Sequence, residues 1–399
     1  MIQIIESLGI PLMGPEPRFM LIFGIEIGVD PLVCFRKSQS YTIASPGVRV
    51  VAGVLWARAP DVRKESDLTA KRRLLFLENR EKTKFWAAVA KRMVLAGYEV
   101  HFLVQNSSFS PTGPFTVHQL ASPVGTTPFR GELGLLEADR GRKFFEAGTA
   151  HYASYKSQIQ RLVGAISPDM VVGEVTLIHE LLTLEFCKSQ GLLYVHPVSN
   201  RYPRGRFSLF RYDEQTCVGD GGYDTFPDLA DAAKRIAEGR EVPFYMERKE
   251  GYSRLRHWLQ WVGAKFQIFR GRLNGEVYNT PSLLRKVLLQ RQLGSAKRRW
   301  AQLARGEVSD LNYILYPMQL QPEANIDIWG RPWSDQVAFV ERLLAAAPEG
   351  VGVMIKANPK AKYELLTGIL DLATKNSRRL TLLPINMPMS SAQQRSIGA

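Results

Sequence analysis

From Arg73 onward the chain alternates short apolar runs with stretches of helical periodicity. RLLFLE reads as a buried strand, and ENREKTKFWAAVAKRMVLAG places Phe85, Val89, Met93 and Val94 on one helical face before stopping at Gly97. YEVHFLV is a second strand. Residues 106–131 are rich in Pro and Gly and read as a loop, followed by a mostly helical stretch to about Ile166, ended by Pro168. MVVG is a third, short strand, residues 176–190 form a helix closed by Gly191, and LLYVHPV is a fourth strand. Strands alternating with helices of this length imply βαβ units on a parallel sheet.

Residues 248–305 break this rhythm with two predicted helices. The first carries Leu255, Trp258, Leu259, Val262, Phe266 and Phe269 at amphipathic spacing, with Arg256, Lys265, Arg270 and Arg272 mostly off that stripe. Such a pattern favours packing of the aromatic stripe onto the lobes, leaving only the charges to water. The second helix is expected to open at Thr280, a capping residue, with Pro281 at its first position. The α/β rhythm returns at Asn312 with strand NYILYP, helix 334–347, strand VGVMIK, helix 361–375 and strand RLTLLP. Before Arg73, only residues 19–25 and 48–55 suggest strands.

The expected fold is therefore α/β, two Rossmann-like lobes with parallel sheets, the second lobe incomplete with about three strands. The expected domains are an N-terminal extension (1–68), a first lobe (69–247), a basic helical connector (248–308) and a partial second lobe (309–399).

At 399 residues the chain can bury two cores, and its charged share of 23% is that of a soluble globular protein. No apolar run approaches the ~20 residues that span a bilayer. The opening MIQIIESLGIPLMGPEPRF places Glu6 and several Pro and Gly where a signal peptide has a basic flank and an apolar block, so a cytoplasmic location is expected. The three cysteines stand far apart, in no metal-ligand spacing. Charge changes the picture more. Of the net +14, residues 248–305 hold +12: fourteen Lys or Arg against Glu250 and Glu276. Arg270, Arg272, Lys297, Arg298 and Arg299 are candidates for contact with something anionic, a phospholipid membrane surface, a charged glycan or nucleic acid, the last ranked well behind because the tract matches no known reader motif.

Ligands of open parallel sheets bind beyond the carboxyl ends of strands, and three polar clusters fall there. Glu174 follows MVVG, with His179 one turn into the next helix. The pair suits a general base, or else Glu174 caps the helix and His179 is a satisfied surface side chain. Gln319, Gln321 and Glu323 follow NYILYP; amides suit sugar hydroxyls, and a carboxylate can deprotonate an acceptor. Lys356 and Asn358 follow VGVMI, where an ammonium group suits a phosphate or a sugar carboxylate. GDGGY (residues 219–223) lacks the context of a dinucleotide fingerprint, and no Asp-x-Asp metal–nucleotide motif occurs, so no metal is expected.

LFLENREKTKFWAAVAKRMVLAGYEVHFLVQN, SPDMVVGEVTLIHE and YPMQLQPEANIDIWGRPWSDQVAFVERLLAAAPEGVGVMIKANPK together resemble the capsule polysaccharide biosynthesis family, which includes β-Kdo transferases. The resemblance runs from about Arg73 to the C-terminus. It implies a GT-B fold, an acceptor (a glycan or lipid-linked glycan) on the first lobe, and a nucleotide sugar, CMP-Kdo, on the second. Gln319 and Glu323 match the family's Q-x-x-x-D/E, which makes Glu323 a candidate catalytic carboxylate beside Glu174 and His179. Lys356 and Pro359 match its K-x-H-P, with Asn358 in place of the histidine, and the family's T-G-T-x-G segment is missing. The resemblance thus implies a metal-independent transferase of an acidic sugar, working peripherally at the inner membrane. A truncated relative that keeps only the fold or glycan binding is the alternative.

Overall fold

A computed structural model of the chain describes residues 40–42, 49–51, 71–123, 129–199, 207–218, 254–273, 276, 278–306, 312–361, 363–364, 367–393 and 396–398, with five isolated positions between 231 and 240. Two compact units result, one of residues 31–281 and one holding residues 282–399. A short antiparallel pair, β1 (Ser40–Thr42) and β2 (Arg49–Val51), precedes the first sheet. The strand expected near 19–25 lies outside the described residues.

The first unit is built on a six-stranded sheet of β3 (Arg73–Leu77), β4 (Glu99–Val104), β5 (Thr116–Gln119), β6 (Met170–Val172), β7 (Tyr194–Ser199) and β8 (Phe207–Arg211). Its order is β5-β4-β3-β6-β7-β8, parallel throughout except for β8. β3 is central, and Leu74, Leu75, Phe76 and Leu77 are all buried because both faces of the strand are covered. β5 is the strand that the Pro/Gly-rich reading of 106–131 missed: its four residues lie on an exposed edge and bury too little to leave a pattern.

Helix α1 (Thr83–Leu95) buries Thr83, Trp86, Ala87 and Ala90, while Phe85, Val89, Met93 and Val94 pack around the margin of that seam. The predicted face was thus displaced by about one residue, because small Ala87 and Ala90 let the helix approach the sheet. Gly97 takes a φ of 93°, which ends the helix. Helices α2 (Arg140–Phe145), α3 (Tyr152–Ile166) and α4 (Ile178–Gln190) follow. The unit closes with α5 (Arg254–Leu273).

The second unit begins with α6 (Leu283–Leu303). Its cap is Ser282, whose hydroxyl accepts from the Arg285 amide, so the predicted start at Thr280-Pro281 is two residues early. Four parallel strands follow in the order β11-β10-β9-β12: β9 (Tyr313–Pro317), β10 (Gly352–Lys356), β11 (Leu380–Leu383) and β12 (Ser396–Gly398). β12 adds a fourth strand to the three expected. Helices α7 (Gln336–Ala346), α8 (Thr367–Lys375) and the short α9 (Met389–Gln393) complete the unit. Trp300 of α6 is fully buried here, and its indole N–H donates to the Leu383 carbonyl at 2.9 Å. No described helix is long and apolar enough to cross a membrane.

Candidate functional site

The chain builds β3, β4 and β5 to one side and then returns to lay β6 on the other side of β3. That reversal makes the carboxyl ends of β3 and β6 a topological switch point, the place where parallel sheets of this kind take ligands. Two segments flank it: Glu78-Asn79-Arg80 after β3 and Gly173-Glu174 after β6.

Glu78 is almost wholly buried and accepts from the amides of Arg80 (2.6 Å), Gln105 (3.2 Å) and Asn106 (3.1 Å). Its carboxyl pKa is raised, chiefly by burial, with His179 opposing and Glu276 adding to the shift. Arg80 has a φ of 46°, which a side chain with a Cβ rarely adopts. Four contacts hold it there: Nε and Nη2 donate to Glu276 at 3.2 and 2.8 Å, and Nη2 also reaches the Asn279 carbonyl and the Thr280 hydroxyl. Glu276 in turn accepts from the Asn106 side-chain amide, and Asn279 donates to Gln105 at 2.8 Å. The segment after α5 thereby ties the loops following β3 and β4 into one buried network.

Arg140 belongs to the same charge cluster. Burial and the nearby Arg80 pull its pKa down to about 10, against Glu180, Glu276 and Asp139, and its Nε has no hydrogen-bond partner among the described residues.

Glu174 lies at this switch point, half-buried, with Lys82 Nζ 2.6 Å from its carboxylate. Its pKa is raised by burial first and by Glu180 second, with Lys82 and Arg140 opposing. A raised carboxyl pKa is a shift toward the proton affinity of a general base. Glu180 shapes the loop itself: its two oxygens accept from Asn79 Nδ2 and from the amides of Glu174, Thr176 and Leu177. His179 is fully buried, with Nε2 2.8 Å from the Glu78 carbonyl. Neither the catalytic nor the surface reading fits that position. His179 stands behind the β3 loop and braces it.

In the second unit the chain reverses direction around β9, so the loop after β9 holds the equivalent place. Gln321 is buried with its amide consumed: Nε2 donates to Asp327 (2.8 Å) and to the Ser334 carbonyl (3.0 Å), and Oε1 accepts from Gln336. It shapes the loop and has no amide bond left for a donor, contrary to the expectation. Gln336 also clamps the Gln319 backbone, accepting from its amide at 2.8 Å and donating to its carbonyl at 2.9 Å. The Gln319 side chain is half-buried and Glu323 is exposed, with the Glu323 amide fixed on Asp327. The Gln321–Pro322 peptide is cis. Lys356 is buried at the end of β10 and donates to the Ile385 carbonyl at 2.9 Å; burial lowers its pKa. One ammonium bond thus joins the loops after β10 and β11. Asn358 folds its own turn, accepting from the Lys360 amide at 2.9 Å.

The candidates therefore form two groups, Glu174 in one unit and Gln319, Glu323, Lys356 and Asn358 in the other. Sequence reasoning missed Glu78, Arg80, Arg140, Glu276, Asp327 and Gln336. Only the Glu-Asn-Arg run directly after a buried strand carried a signal for any of them.

No protein-family model and no curated protein sequence matches the chain. Among solved structures it is similar to UDP-GlcNAc 2-epimerase from Methanocaldococcus jannaschii, with 10% identity, 82% of this chain and 77% of that one covered, and a TM-score of 0.22. It is also similar to MurG of Acinetobacter baumannii (11%, 82% and 71%, 0.22). A third such structure is a Streptomyces glycosyltransferase complexed with thymidine diphosphate (12%, 75% and 74%, 0.21). Likenesses this distant assign neither a ligand nor a reaction to the chain.

Proposed function

We propose that the protein is a glycosyltransferase of capsule polysaccharide biosynthesis, transferring an acidic sugar, Kdo from CMP-Kdo, to a glycan or lipid-linked acceptor without a metal. The observation that carries this reading is Glu174, a half-buried carboxyl with a raised proton affinity at the switch point of a parallel sheet. In this reading Glu174 takes the proton of the acceptor hydroxyl, and the oxygen attacks the anomeric carbon. The bond from that carbon to the phosphate breaks, and cytidine monophosphate leaves. In the second unit, taken by itself, Gln319 and Lys356 are the candidates for donor binding, and a donor phosphate there would exchange with the Ile385 carbonyl for the lysine charge. Glu323, exposed on the β9 loop, is the competing candidate for the base. GT-B architecture and a cytoplasmic, peripheral location belong to the same proposal.

Calorimetry with CMP and CMP-Kdo tests binding, and product analysis with a Kdo-bearing glycan tests turnover. Glu174→Gln is expected to lower turnover ~10²–10⁴-fold while sparing donor binding; the same loss in Glu323→Gln alone would move the base to that residue. Absence of binding to either nucleotide at millimolar concentration would overturn the proposal. One set of observations favours a second reading, an inactive relative: Gln321 and Lys356 are committed to partners inside the lobe, and Asn358 stands where the family has histidine. Donor binding without turnover is its signature.

A further inference from the structure

We propose that α5 is an in-plane anchor, laying an apolar stripe into the headgroup region of an anionic phospholipid bilayer. This goes beyond sugar transfer and stands whether or not the chain has that activity. The apolar stripe expected to pack onto the lobes is bare instead. Trp258, Leu259, Trp261, Val262, Phe266, Phe269 and Leu273 are all exposed, Phe266 by 63% and Leu273 by 71%.

The opposite side of the helix explains the orientation. Gly271 is buried, and a Cβ there would lie 2.6 Å from Asn106 Cγ. Gln267 and Ile268, near Gly271 around the helix, are half-buried. At ~100° per residue Trp258, Val262, Phe266, Phe269 and Leu273 share one outward face. Lys265 and Arg272 border that face on one side and Arg270 on the other. No Asp or Glu occurs anywhere in α5.

An apolar stripe edged by cations on both sides is the pattern of helices that lie in a membrane interface, where rings enter the acyl boundary and cationic stems reach up to phosphates. A second copy of this chain fits poorly, since α5 pairing with itself would set Lys265, Arg270 and Arg272 against their like with no carboxylate to answer them. Nucleic acid would use the cations and the rings but not Val262 and Leu273 at the centre of the face. In the second unit the first two turns of α6 repeat the chemistry, with Leu283, Leu284, Val287 and Leu288 exposed beside Arg285 and Lys286.

The test uses the full chain with vesicles of phosphatidylcholine alone, or of equimolar phosphatidylcholine and phosphatidylglycerol, each with and without brominated acyl chains. The expected result is sedimentation with the anionic vesicles and quenching of tryptophan emission by the brominated chains. That quenching disappears in Trp258→Phe/Trp261→Phe. Lys265→Ala and Arg270→Ala should each weaken binding roughly five-fold, and Phe266→Ser/Phe269→Ser should abolish quenching with the circular dichroism spectrum unchanged. Three results would overturn the proposal: no binding to either vesicle at low salt; binding fully reversed by salt and without quenching; or self-association removed by Phe266→Ser/Phe269→Ser in a chain that ignores vesicles.

Discussion

Replacing Glu276 by alanine should open the first unit from a residue far from the β3 strand in sequence. The Glu276 side chain is 2% exposed and Arg80 20%. Removing one member of a buried pair leaves the other charge uncompensated, which costs ~3–5 kcal/mol. Arg80 keeps some access to water, so about 3 kcal/mol, the lower end, is the expected loss. Arg140 pushes the same way, because Glu276 is one of the charges that keeps its guanidinium protonated. Asn106 loses its acceptor as well. With a urea dependence near 3 kcal/mol per molar, the midpoint should fall by about 1 M. Urea unfolding read by hydrogen exchange on β3 and β4 peptides reports this unit and not the other. Glu276→Gln, which keeps an acceptor for Asn106, should lie between parent and alanine. In the double variant with Arg80→Met the losses should fall short of additive, since neither charge is then stranded. A midpoint shift under about 0.2 M for Glu276→Ala, or strict additivity with Arg80→Met, would refute the account of Arg80 as a residue held in place by Glu276.

Three further outcomes follow from the packing. His151 is buried against Tyr278 with neither ring nitrogen hydrogen-bonded among the described residues, and burial pushes its pKa down to about 4. Its unfolded form takes up a proton near pH 6.5 and its folded form only near 4, so its contribution is complete above pH 6.5 and lost as pH falls toward 4. His151→Phe should therefore spare roughly 1–2 kcal/mol of the loss between pH 7 and 5, read as a smaller drop in Tm; an unchanged drop would disprove it. Burial raises the Glu78, Glu174 and Asp139 pKa values, giving the opposite slope, which cancels on comparing variant with parent. Gly271→Ala should cost ~1–3 kcal/mol by driving Asn106 off Glu276, and equal stability by urea unfolding would contradict that packing. Trp300→Phe should cost about 2 kcal/mol in the second unit through the lost bond to Leu383 and the smaller ring, measurable by hydrogen exchange on β11.

The order of strands and helices could be read from the chain because each core element is long enough to repeat its pattern. RLLFL and EVHFLV, short apolar runs set between helical stretches, read as buried strands, and Gly97 and Gly191 mark helix ends by backbone conformation alone. β5 escaped because an edge strand of four residues satisfies its ladder without burying an apolar face, and β12, three residues long, is too short to show a period. The positions of Glu174, Gln319 and Lys356 at strand ends also followed from the pattern. What those side chains touch did not. Whether a buried amide such as Gln321 is spent on Asp327 and Gln336, or a lysine on the Ile385 carbonyl, depends on partners brought in from other loops. Glu276 lies 196 residues from Arg80, and no local signal links them. The outward face of α5 is the same kind of fact. Periodicity finds an apolar stripe, but only the seat of Gly271 against Asn106 decides which way the helix is turned, and so whether the stripe meets protein or the surroundings.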